Sequence, residues 1–127
     1  MSSAAQLRAD LAAAIGAALS GYAVYPAPPD VMAAPAVVIA PRATYRTRTD
    51  YCREEVRLNV MILVPRAAGP AGMEVLDSVS DQVRDAIETV PDCTWQSVES
   101  VGNVQEVGGA EYLMATFSVI GYVEGNP

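Results

Sequence analysis

The sequence predicts an α+β fold: a four- to five-stranded, mostly antiparallel sheet with two helices packed on one face and a projecting arm. Three observations predict it. From Arg53 to Val64, Val56, Leu58, Val60, Ile62 and Val64 recur at every second residue, while Arg57, Asn59, Met61 and Leu63 fall on the opposite side, the period of a strand with one core face. Residues 3–20 and 73–90 carry apolar side chains at helical spacing instead. A chain of 127 residues suits a single domain, 1–127, with one core. Two helices can cover one face of such a sheet but not both.

In chain order, Ser3 and Gln6 fit a capping box that opens the first helix. Leu7, Leu11, Ile15 and Leu19 follow at i+4 spacing, and Gly21 is placed to end the helix in a left-handed residue. Residues 22–35 hold four prolines, which forbid a helix or a central strand and predict an extended connector. Ala36 to Ala40 is a short apolar run of the kind found in strands covered on both sides. Residues 41–53 form the arm. Five of the eight arginines lie between positions 42 and 57, and Thr and Tyr alternate with Arg there as in an exposed hairpin.

After the 53–64 strand, the Pro- and Gly-rich residues 65–72 predict a loop. The second helix, Met73 to Val90, sets Leu76, Val79, Val83, Ala86, Ile87 and Val90 on one face and Asp81, Asp85 and Glu88 on the outer one, with Glu74 and Asp77 in its first turn. Pro91 stops it. From Thr94 to Val107, Trp95, Val98, Val101, Val104 and Val107 recur every third residue, which fits neither a flat strand nor an amphipathic helix. The β-branched content and Gly102 predict one or two strands with a bulge or bend near the glycine. Gly108-Gly109 predicts a tight hairpin, and Tyr112 to Val123 the last strand. That strand sets Leu113, Ala115, Phe117 and Val119 on one face and a mixture of polar and apolar residues on the other.

Composition narrows function. Of the 65 residues counted as hydrophobic, 21 are Ala and 17 Val, so the core is thin and would gain from association. A net charge of −7, from 15 acidic residues against eight Arg and no Lys, repels a phosphate backbone and speaks against a sequence-reading nucleic-acid binder. Without His there is no imidazole base and no His-ligated metal. Cys52 and Cys93, 41 residues apart, make no metal or redox motif and read as free thiols in a reducing compartment. There is no phosphate-binding glycine loop and no nucleophile elbow. Glu54 and Glu55 are adjacent on a strand and point to opposite faces, and the outer carboxylates of the second helix read as a solvated face. The expectation is therefore no catalytic residue, no metal and no cofactor. With no run near 18 apolar residues and no basic start before an apolar one, a soluble intracellular protein without membrane contact is expected.

The leading helix, the connector into Ala36-Val-Val-Ile-Ala-Pro41, the strand ending Leu58-Asn-Val-Met-Ile-Leu-Val64, the helix Val75 to Val90 and the closing Tyr112 to Tyr122 strand together resemble the tail terminator proteins of long-tailed bacteriophages. The resemblance spans nearly the whole chain and is one of layout, size and composition. It implies a virion structural protein that forms a six-membered ring on the head-proximal end of the tail tube, halts tube polymerisation and meets the head's connector. The implied partners are copies of the chain, the tube protein and the connector or neck protein, with DNA passing through the lumen. Its implied place is the virion tail or neck, reached from the host cytoplasm. Arg42, Arg46, Arg48 and Arg53 match the family's projecting arm by order along the chain and are the candidate partner-binding residues. Two other expectations stand beside this one. A head-completion or neck adaptor belongs to the same machinery, and a small-ligand-binding α+β domain would use a pocket between the connector and Trp95.

Overall fold

The computed structural model describes residues 3–30, 35–50, 53–65, 70–107 and 110–124, with backbone alone for 50, 70, 100–107 and 110. The elements run α1 (Ala4–Ala18), β1 (Ala23–Tyr25), β2 (Ala36–Asp50), β3 (Arg53–Pro65), α2 (Pro70–Thr89), β4 (Cys93–Val107) and β5 (Ala110–Glu124). The five strands form one sheet in the order β1-β2-β3-β5-β4, in which the β1–β2 pair is parallel and every other pair antiparallel. Both helices pack on the same face, as the sequence requires.

Helix α1 starts where Ser3 Oγ accepts from the Gln6 amide at 3.1 Å. The second half of the expected capping box is absent, because the Gln6 side chain donates to Asp10 Oδ1 at 2.7 Å instead of reaching back. Leu7, Leu11 and Ile15 are buried on its inner side, and Gly21 adopts a φ of 83°, a region a side chain would disfavour. In α2, Leu76, Val79, Val83, Ala86 and Ile87 are buried, and Val90 closes the same side. Against the helices stand Val37 and Ile39 of β2, Val56 to Val64 at alternate positions of β3, and Leu113, Ala115, Phe117, Val119 and Val123 of β5. Gly121 interrupts the β5 series for a packing reason: a Cβ there would overlap Leu7 Cδ2 and come within 3.2 Å of Leu7 Cγ.

Three segments depart from simple periodicity. The connector contains a short edge strand, β1, whose Ala23 amide donates to the Pro35 carbonyl at 3.1 Å, and this adds the parallel pair to the sheet. Its brevity follows from the flanking prolines. The apolar 36–40 run and the Arg-rich segment are one continuous strand, β2, and the arm is that strand's far half paired with the start of β3. Strand β5 backs it, since Arg53 still pairs with Glu124, so the arm is a continuation of the sheet, three strands wide. The three-residue period of β4 comes from two register shifts, one between Trp95 and Ser97 and one between Glu99 and Asn103. The first places Trp95 opposite Val119 and Val98 opposite Phe117, so residues three apart share the core side. The hairpin expected at Gly108-Gly109 falls outside the described residues, as does Cys52.

Candidate functional site

Among the described residues no helix packs on the second face of the sheet. Pairing registers lay it out in rows. Ala36, Leu63, Met114 and Asn103 form the first, Val38, Met61, Thr116 and Glu99 the second, and Ala40, Asn59, Ser118 and Ser97 the third. Arg57, Ile120 and Thr94 form the fourth, Glu55 and Tyr122 the fifth, and Arg53 stands between Asp50 and Glu124 in the last. On β2, β3 and β5 the face therefore grades from apolar at one end to aromatic and charged, with both signs present, at the other. Ala36, Val38, Leu63, Ser118 and Ile120 are buried by their neighbours, yet none belongs to the helix-side core. Met61, Met114 and Thr116 between them stay half-buried.

The candidate arginines do not form one cluster. Arg46 and Arg48 pair across the ladder with Val56 and Glu54 and so share the helix side of the sheet, beyond the helices. Arg46 is held by the Glu54 carboxylate, with Nε at 3.1 Å. Arg53 lies 5.6 Å from the centre of the Tyr122 ring, on the open face. Arg57, on the same face, pairs with Glu55 at 3.0 Å. Arg42 donates to Gln96 Oε1 at 3.4 Å, a contact from β2 to β4 that spans the two strands between them. Four residues of β2, 42–45, stand opposite Arg57 alone, and this bulge divides the arginines between the two faces.

Sequence reasoning missed Tyr45. In the bulge it turns to the helix side, packs on the core and accepts a hydrogen bond from Arg8 Nη1 at 2.6 Å, tying the hairpin to α1. The apolar partner of the otherwise Arg- and Thr-rich run was its signal. Trp95 packs edge-on to Phe117 with ring centres 5.9 Å apart, and its Nε1 donates to Glu88 at 3.0 Å. Trp95 and the connector's β1 stand at opposite edges of the sheet, so among the described residues no pocket forms between them.

Other chemistry is sparse among the described residues. No group of three or more His, Cys, Asp or Glu gathers to hold a metal, and no helix is long and apolar enough to cross a membrane. Burial pushes the half-buried Cys93 thiol from 9.0 up to about 12, which leaves it protonated and a poor nucleophile near neutral pH. Burial also raises Tyr22. A shallow groove of about 420 Å³ runs between the helices, lined by Ala14, Ala17, Ala18, Gln82, Asp85, Ala86 and Thr89. Its lining offers the Asp85 carboxylate and the Thr89 hydroxyl, which donates to the Ala86 carbonyl at 2.7 Å.

The architecture is thus that of an α+β protein, a five-stranded mixed sheet with two helices on one face. No protein-family model and no curated protein matches the chain.

Proposed function

We propose that this chain is a phage tail terminator, a virion structural protein that forms a ring, hexameric by the family resemblance, on the head-proximal end of the tail tube. It stops the tube's polymerisation and joins the tail to the head connector, and it is not an enzyme. The observation that carries the reading is the second sheet face, on which neither helix packs and where Asn59, Met61, Met114 and Thr116 stay half-buried.

The charge distribution supports it. Residues 42–57 hold five Arg against Asp50, Glu54 and Glu55, a net of +2, so the remainder of the chain carries −9. A segregated charge of this kind suits contact between unlike patches of neighbouring copies, and an acidic ring wall suits DNA that must slide without sticking.

Removing the gene from its phage and imaging the lysate tests the proposal. Overlong tail tubes, cured by supplying the wild-type gene, are expected. Full heads beside detached tails of normal length would reassign the chain to a neck adaptor. A lasting monomer with a saturable small-molecule site, and normal virions without the gene, would overturn both.

A further inference from the structure

We propose that the far half of β2, residues 46–50, opens from the sheet as a unit while the rest of the fold stays in place, with the hydrogen bond between Arg8 and Tyr45 as its clasp. The inference concerns a movement within one chain and does not rest on the terminator reading.

Three features single out this segment. It is an edge, because among the described residues β1 pairs only with Ala36 to Val38 and leaves the remainder of β2 bound to β3 alone. Its ladder is short. Register shifts between Pro41 and Arg46 and between Arg48 and Asp50 leave three consecutive pairs, Arg46 with Val56, Thr47 with Glu55 and Arg48 with Glu54. It also buries little: Arg46, Arg48 and Thr49 are exposed, whereas Val37, Val38 and Ile39 at the strand's other end are buried. A segment with few buried apolar contacts and an exposed ladder opens at a smaller free energy than the core does. The bulge at 42–45 serves as the hinge, since it has no ladder pairs of its own to break when the strand turns there.

The hold on the segment is strongest at Tyr45. Its ring is half-buried against the helix-side core, and its hydroxyl accepts from the charged Arg8 guanidinium at 2.6 Å. Arg8 follows Leu7, whose side chain presses on Gly121 of β5, so the clasp is anchored on a helix that stays with the core when the segment leaves. Arg46 and Thr49 hold more loosely. Arg46 meets Glu54 with 48% of its side-chain surface exposed, where water weakens an ion pair, and Thr49 Oγ1 donates to the Arg53 carbonyl at a long 3.4 Å. Opening moves the edge of the sheet at this end from β2 to the start of β3, Arg53 to Val56. The clasp therefore governs which strand presents its unpaired backbone groups to solvent.

Amide hydrogen exchange of the native chain at neutral pH tests this, with residues 58–62 of the central strand β3 as the reference. The most protected amide among 46–50 should exchange on the order of a hundredfold faster than the most protected one among 58–62. Ile62 stays buried when the segment opens, so Ile62→Val should speed exchange at 58–62 about fivefold and leave 46–50 unchanged. The clasp is broken in the open and the unfolded forms alike, so Tyr45→Phe should speed both regions by one factor, about fivefold. Arg8→Met should act in the same direction, and the double variant should fall short of the product of the two single effects. Exchange at 46–50 that rises with 58–62 in Ile62→Val would show that the segment opens only when the whole molecule unfolds. Exchange at 46–50 indifferent to Tyr45→Phe and to Arg8→Met would show that no clasp exists there. Either result overturns the inference.

Discussion

Val60 and Met61 are neighbours on β3, yet they serve different surfaces. Val60 is fully enclosed by the helix-side core, with Phe117 as its cross-strand partner on β5. Met61, flanked by Val38 and Thr116, is half-buried with no helix above it. The same contrast holds for Ala115 and Thr116. One face of the sheet packs against both helices, and the other leaves Asn59, Met61, Met114 and Thr116 half-buried. Stability and assembly should therefore separate by face, and three measurements test that division.

The largest effect is expected at Phe117, the one phenylalanine and a fully buried core side chain. Phe117→Ala should cost about 3–5 kcal/mol in denaturant unfolding, through lost burial and the cavity left behind. Met61→Ala on the other face should cost less than about 1 kcal/mol in the dilute chain and weaken association instead. Equal costs at the two positions would show that the open face is already covered in the free molecule.

Next comes Gly121, on the helix side. Gly121→Ala drives a methyl into Leu7 and should destabilise by about 1–3 kcal/mol. Leu7→Ala in the same chain should cost less than the sum of the two single changes, because it removes the clash. Strict additivity would show that α1 does not press on β5 at this point.

The smallest effect is the alkaline response of Cys93. Its folded thiol titrates near 12 and its free one near 9.0, so the contribution is intact below pH 9. As pH rises between those values the unfolded thiol ionises first, and stability falls. Between pH 8 and pH 10.5 the wild type should lose on the order of 1 kcal/mol more than Cys93→Ala. Parallel losses in the two chains would place the thiol in contact with water.

Much of this fold was legible because local patterns set it. The i+4 leucines of α1, the apolar side of α2 and the alternation through Val56 to Val64 each identify an element and its inner face from the spacing alone. The bend predicted near Gly102 corresponds to the second register shift of β4. The candidate site was less legible. The arginines at 42, 46, 48 and 53 read as one arm, but the bulge at 42–45 puts Arg46 and Arg48 on the helix side and leaves Arg42 reaching across to Gln96. Side-chain direction after a bulge depends on the partner strand, which no local spacing reports.

By itself the sequence determined the helices, the long strands, the acidic stripe of α2 and the shortage of cover for the sheet, because periodicity and residue count are properties of the chain alone. The tertiary structure decided which strands are neighbours. It inserted β5 between β3 and β4, carried Trp95 to the edge opposite the connector, and sorted the arginines between two faces. Those outcomes rest on pairings between residues far apart in the chain, where ladder hydrogen bonds and packing choose the partner and local preference does not.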